Sequence, residues 1–104
     1  MTGQRVHERF PIRLPVAVVH EGRSFEATTR NLSLGGAFVE LESDIPFGAT
    51  VRVQLRVPKS SELIDVESVI RWKQADGLGV QFGSLRALDT WALNQLFKAH
   101  AAGA

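Results

Sequence analysis

The stretch Asn31-Leu32-Ser33-Leu34-Gly35-Gly36 sets a short amide, a hydroxyl and a glycine pair between two apolar runs, where a tight hairpin needs only a two-residue turn. Asn and Ser are compact hydrogen-bonding groups, and paired glycines let the backbone approach a ligand closely or reach positive φ. The chemistry open to such a loop is the cradling of a polar ligand. The alternative is a β-bulge or wide turn in which Asn31 and Ser33 satisfy local backbone groups. The stretch has no lysine and opens no helix, so it is not the phosphate loop of a nucleotide hydrolase. A second group lies near the start of the chain, where Arg5, Arg9 and Arg13 stand against a lone Glu8. A guanidinium is flat and forked, suited to gripping phosphate or carboxylate and to stacking on a ring. Without a partner, the same arginines make only a solvated basic arm.

Other chemistries find little support. Cysteine is absent and His7, His20 and His100 are scattered, so neither a thiol nucleophile, nor a disulfide framework, nor a metal site is expected. Ser33 is not on a strand-to-helix elbow and has no histidine nearby in sequence, and Glu40, Glu42 and Asp44 mainly alternate with apolar residues as solvent-facing strand positions do. The chain is not expected to be an enzyme. A net charge of +1 predicts no general attraction to nucleic acid or anionic lipid. A barrel binding single strands through Arg52 and Arg56 would want more charge and more aromatics outside the core pattern. No apolar run approaches the roughly 18 to 20 residues of a membrane span, and the N-terminus has no signal-peptide core, so a cytoplasmic protein is expected.

The elements that must position these residues follow from hydrophobic period. Arg13–His20 is Val-rich and ends at the turn signal Glu21-Gly22. In the next segment Phe25, Ala27 and Thr29 alternate with Glu26, Thr28 and Arg30, the period of a half-buried strand paired with the first. Ala37–Leu41 reads as a third strand, 43–48 as a loop, and Thr50–Val57 as a fourth strand with Val51, Val53, Leu55 and Val57 on one face. After a polar loop at 58–62, Ile64, Val66, Ile70 and Trp72 share a phase, Asp76-Gly77 signals a hairpin, and Leu78–Phe82 returns. Then the period changes. Leu85, Leu88, Ala92, Leu96 and Ala99 follow helical spacing, widened by Leu93 and Phe97, with Asp89 or Ser84 available as cap. Since no helix separates any two strands, the prediction is an all-β, antiparallel barrel or sandwich with one C-terminal helix. Residues 1–12 form a flexible N-terminal arm in this reading, and 13–104 the barrel with its helix. In a hairpin of the first two strands, the start of one lies beside the end of the other, which brings the arm and the Asn31–Gly36 loop to one end of the barrel. Trp72 has two readings: a core residue, from its phase with Ile70, or a wall of the ligand site.

Arg5-Val6-His7-Glu8-Arg9 and Asn31-Leu32-Ser33-Leu34-Gly35-Gly36 together resemble the PilZ domain family, which is marked by an RxxxR arm followed by a (D/N)xSxxG segment. Phe10–Val16 resembles the family's proline-containing lead into the first strand, and Gly77–Phe82 its strand before the terminal helix. Arg9–Arg13 is also RxxxR, but Arg5 and Arg9 better match the usual distance to the first strand. The resemblance implies a six-stranded antiparallel split β-barrel that binds cyclic di-GMP, a bacterial second messenger, without a cofactor. By that resemblance Arg5 and Arg9 grip phosphate and stack on or hydrogen-bond guanine, Asn31 and Ser33 contact a guanine edge or phosphate, and Gly36 makes room; Arg13, Gly35 and Trp72 are further candidates. Gln4 stands where relatives that take an intercalated ligand dimer carry arginine, so one ligand per site is expected. The signal would pass to a downstream protein, in processes such as motility or exopolysaccharide production. The alternative is a PilZ-fold adaptor that binds no nucleotide.

Overall fold

The computed structural model describes residues 8–58 and 63–103. Along them run β1 Pro15–His20, β2 Arg23–Leu32, β3 Gly36–Glu40, β4 Thr50–Arg56, β5 Leu63–Gln74, β6 Gly77–Phe82 and α1 Ala87–Ala101. The strands pair antiparallel in the order β1-β2-β3-β6-β5-β4 and close through β4 against β1. Closure leaves no exposed edge among these strands. Alternation fills the barrel: Val51, Val53 and Leu55 of β4, Ile64 and Val66 of β5, and Leu78 and Val80 of β6 all point inward and are buried. Each such aliphatic side chain contributes about 1.5–3 kcal/mol by leaving water. Ile45, from the loop between β3 and β4, joins the same core.

The two hairpin turns work differently. Glu21 and Gly22 have φ of 50° and 80°, the left-handed pair that matches the twist of a two-residue hairpin. At Asp76-Gly77 the hairpin forms, but Gly77 has no positive φ and already pairs with Gln74 as the first residue of β6. Glycine is required there by packing against the Phe38 ring.

The chain joins the barrel before Arg13. Phe10 and Leu32 exchange backbone hydrogen bonds, each 2.9 Å, while Ile12 and Leu14 are buried. Thr29 Oγ1 donates to the Ile12 carbonyl and accepts from the Leu14 N–H, each at 2.8 Å, standing in for ladder bonds where β1 has not yet begun. Residues 1–7 of the expected arm lie outside the described residues. The helix closes the same end, Phe97 stacking on Phe10 with ring centroids 4.4 Å apart. Its buried face is the predicted stripe without its two edge positions: Ala92, Leu93 and Phe97 are buried and Leu85 and Leu96 pack against the core, whereas Leu88 is 56% exposed, Ala99 is exposed, and Asp89 is buried instead. The buried Asp89 carboxylate is satisfied within the first turn, where it accepts the Arg86 backbone N–H at 3.0 Å and the Arg86 guanidinium at 2.7 Å. Asp89 thus acts from inside the first turn, and the cap position itself is Arg86. The Arg86 hydrogen bond holds the Asp89 carboxyl below the usual carboxylate range, against the opposing effect of burial.

Candidate functional site: the outer wall of β2, β3, β6 and β5

Two β-bulges shape this wall. Between Thr29 and Asn31 the register of β2 on β3 slips by one residue, and between Ile70 and Trp72 that of β5 on β6 does the same. Thr29 and Leu32 are both fully buried although three residues apart, so Arg30 and Asn31 are both carried to the outside. On β5 the bulge at Arg71 ends the alternation that began at Ile64 and moves Trp72 outward. Trp72 is 62% exposed and is not a core residue. Asn31, Phe38, Gly79 and Trp72 stand directly opposite one another across the four strands and form one transverse row on the outer face.

The glycines of β6 explain how aromatic rings fit this row. A Cβ on Gly77 would lie 2.3 Å from Cε1 of Phe38, and one on Gly79 would lie 2.7 Å from Cβ of Trp72. Gly77 and Gly79, two apart and on the same outer face, therefore leave the strand bare for Phe38 and Trp72 to cover. Over Phe38 lies the guanidinium of Arg30, 4.7 Å from the ring centroid. Its Nε donates to Glu40 Oε2 at 2.9 Å and its Nη2 to Asp76 Oδ2 at 2.8 Å. Glu40 also accepts Arg13 at 2.8 and 3.1 Å, and Asp76 accepts Gln74, whose Oε1 accepts the indole N–H of Trp72 at 3.0 Å. One hydrogen-bonded chain thus runs Arg13–Glu40–Arg30–Asp76–Gln74–Trp72. The hydrogen bonds from Arg13 and Arg30 hold the Glu40 carboxyl at a pKa of about 2, and that from Arg30 lowers Asp76.

Arg9 and the loop meet on this wall. Arg9 Nη1 donates to Asn31 Oδ1 at 2.6 Å. Among the described residues no carboxylate pairs with Arg9, so its charge faces a neutral amide, whereas the charges of Arg13 and Arg30 are balanced by Glu40 and Asp76. Arg5, the other arginine of the arm, lies outside the described residues.

The remaining loop residues serve the loop itself. Ser33 is only 4% exposed; its Oγ accepts the N–H groups of Gly35 and Gly36 at 3.0 and 3.2 Å and lies 3.3 Å from the Gly36 carbonyl. Its hydroxyl closes the turn rather than facing outward. Neither Gly35 nor Gly36 has positive φ. Gly36 is required by packing, because a Cβ there would lie 2.2 Å from the Val80 carbonyl oxygen of β6. The Gly35 carbonyl accepts the Phe82 N–H at 2.9 Å, pinning the loop to the same strand. Arg30 and Phe38 were not foreseen as members of the site. The signal was present in the spacing of three between Thr29 and Leu32, and in two glycines of equal phase at 77 and 79.

Residues 3–98 match the family model described as "PilZ domain". The chain belongs to the PilZ domain family. Among solved structures, this PilZ domain is similar to the Bacillus subtilis inhibitor of motility (MotI/DgrA), with a TM-score of 0.80 and 23% identity, covering 97% of this chain and 52% of that one. It thus spans about half the length of the Bacillus protein. It is also similar to the PilZ domain of CeSA from a cellulose synthesizing bacterium, with a TM-score of 0.68, 17% identity, and 86% and 93% of the two chains covered. At these identities the likeness shows the shared barrel. No curated protein matches the chain by sequence. No helix among the described residues is long and apolar enough to cross a membrane.

Proposed function

We propose that this PilZ domain is a receptor for cyclic di-GMP that binds the dinucleotide on the outer wall beside Asn31, with Arg9 and Arg5 on its phosphates and bases, and passes the signal to a partner protein. The observation that carries this reading is the 2.6 Å contact between Arg9 and Asn31, which joins the two family motifs on one face. An arginine whose partner is a neutral amide keeps its charge for an anion, and a charge-assisted hydrogen bond to phosphate contributes about 1.5–3 kcal/mol net. Ser33, Gly35 and Gly36 hold the loop that presents Asn31. Trp72, exposed at the far end of the row, offers a flat face to the ligand. The output reading draws on Trp91, 60% exposed on α1 beside Phe10 and Leu34, the residues that flank Arg9 and the loop.

Calorimetric titration of cyclic di-GMP into the wild type, Arg9→Ala and Ser33→Ala tests this. Saturable binding near one ligand per chain, weakened tenfold or more in Arg9→Ala, is the expected outcome. Absence of heat at high ligand concentration in a folded wild type would overturn the receptor reading and leave the protein-interaction adaptor.

A further inference from the structure

We infer that Arg30 is a stacking platform for a purine ring of the ligand, distinct in role from the phosphate-binding Arg9; the inference rests on the receptor reading above. The N–H donors of a guanidinium lie in its plane, and those of Nε and Nη2 are directed to Glu40 and Asp76. The guanidinium carbon lies over the Phe38 ring, 4.7 Å from its centroid, and that ring lies against the bare backbone at Gly77. On the side away from Phe38 the side chain meets solvent, remaining 39% exposed. With two carboxylates balancing its charge and two hydrogen bonds fixing its plane, Arg30 offers a rigid flat surface without net attraction for phosphate. That is the chemistry of a base receptor. The bulge that carries Arg30 and Asn31 to the same side sets this platform next to the Arg9–Asn31 pair, so phosphate and base contacts come from adjacent positions.

The platform differs in kind from Arg9, and two measurements separate them. In wild-type protein labelled with ¹⁵N, the Arg30 Nε–Hε signal is expected to move upfield on saturation with cyclic di-GMP, through the ring current of a base stacked on it. In calorimetry, Arg30→Lys keeps the charge and loses the flat face; its affinity should fall roughly fivefold, by the same factor at low and high salt. Arg9→Ala should instead weaken binding more at low salt than at high salt, because it removes a charge contact to phosphate. A wild type that binds cyclic di-GMP while the Arg30 signal stays unmoved, or a folded Arg30→Lys with wild-type affinity, would overturn the platform. Should Arg30→Lys fail to fold, the wild-type signal alone decides. A wild type that binds no cyclic di-GMP at all defeats the receptor reading instead, so the two failures are distinguishable.

Discussion

The barrel has two walls rich in arginine, and they differ in the regularity of their strands. On β4 the alternation never slips: Val51, Val53 and Leu55 face in, Arg52 and Arg56 face out, and β4 keeps one register with β5 from Thr50 to Arg56. Arg52 donates to Asp65 at 2.8 Å on this half-exposed surface, and Gln54 donates to the same carboxylate at 3.4 Å. No aromatic side chain belongs to β4. The wall of β2, β3, β6 and β5 carries two bulges, and each places two consecutive residues outside. A regular strand spreads its outward side chains evenly, every second residue. A bulge concentrates them, and here the concentrated residues are Arg30 with Asn31 and Arg71 with Trp72. Irregularity in the ladder, rather than arginine content, distinguishes the wall proposed to hold the ligand.

The largest effect expected from breaking the contrast is on stability. Gly36→Ala drives a Cβ toward the Val80 carbonyl, and neighbouring backbone must shift; a loss of about 3 kcal/mol is expected in urea unfolding. A wild-type midpoint would show that the close approach of β3 to β6 does not constrain the loop. Arg9→Ala should come next and act on ligand alone: affinity falls tenfold or more while stability stays within about 0.5 kcal/mol of wild type. Equal losses of affinity in Arg9→Ala and Arg52→Ala would erase the distinction between the walls.

Acid should find the irregular wall through Glu40. Its folded pKa, about 2, lies below the ordinary value of 4.5, so the stabilisation is fully present above the ordinary value and is lost as pH falls through the folded one. Urea midpoints measured across that window should therefore drop toward its acid end, and the drop should be shallower in Glu40→Gln, which has no carboxylate to protonate. Identical pH profiles for the two proteins would mean that Glu40 is not what ties Arg13 to Arg30. The smallest effect belongs to the regular wall. Arg52→Ala breaks an exposed ion pair and should cost at most about 0.5 kcal/mol, with affinity for cyclic di-GMP unchanged.

Much of the fold was legible in the sequence because strand period is a local property. Val51 through Leu55 and Ile64 through Val66 announce their faces without knowledge of their neighbours. The meeting of arm and loop was legible too, since an antiparallel hairpin sets the start of β1 beside the end of β2, and the Phe10–Leu32 bridge lies at that end. Of the two readings of Trp72 the core one fails for a definite reason: the residue shares the parity of Ile70, and only the slip of β5 on β6 removes it from the core. The helix stripe was drawn too wide, because Leu88 and Ala99 fit the helical spacing as well as Leu93 does. The choice between them was made outside the helix, by the barrel side on which Phe10 stacks against Phe97.

By itself, then, the sequence determined the succession of strands, the single terminal helix and the pairing of an arginine arm with an amide-bearing loop, all of which depend on period, turn chemistry and residue type. Tertiary structure alone decided which arginines keep an unbalanced charge, which glycines serve packing rather than turns, and which aromatics stand outside. Those properties depend on residues distant in sequence: Arg9 meets Asn31, Gly77 yields to Phe38, and Arg30 is fixed between Glu40 and Asp76. A chain read one residue after another contains the partners, but only closure of the barrel sets them at contact distance.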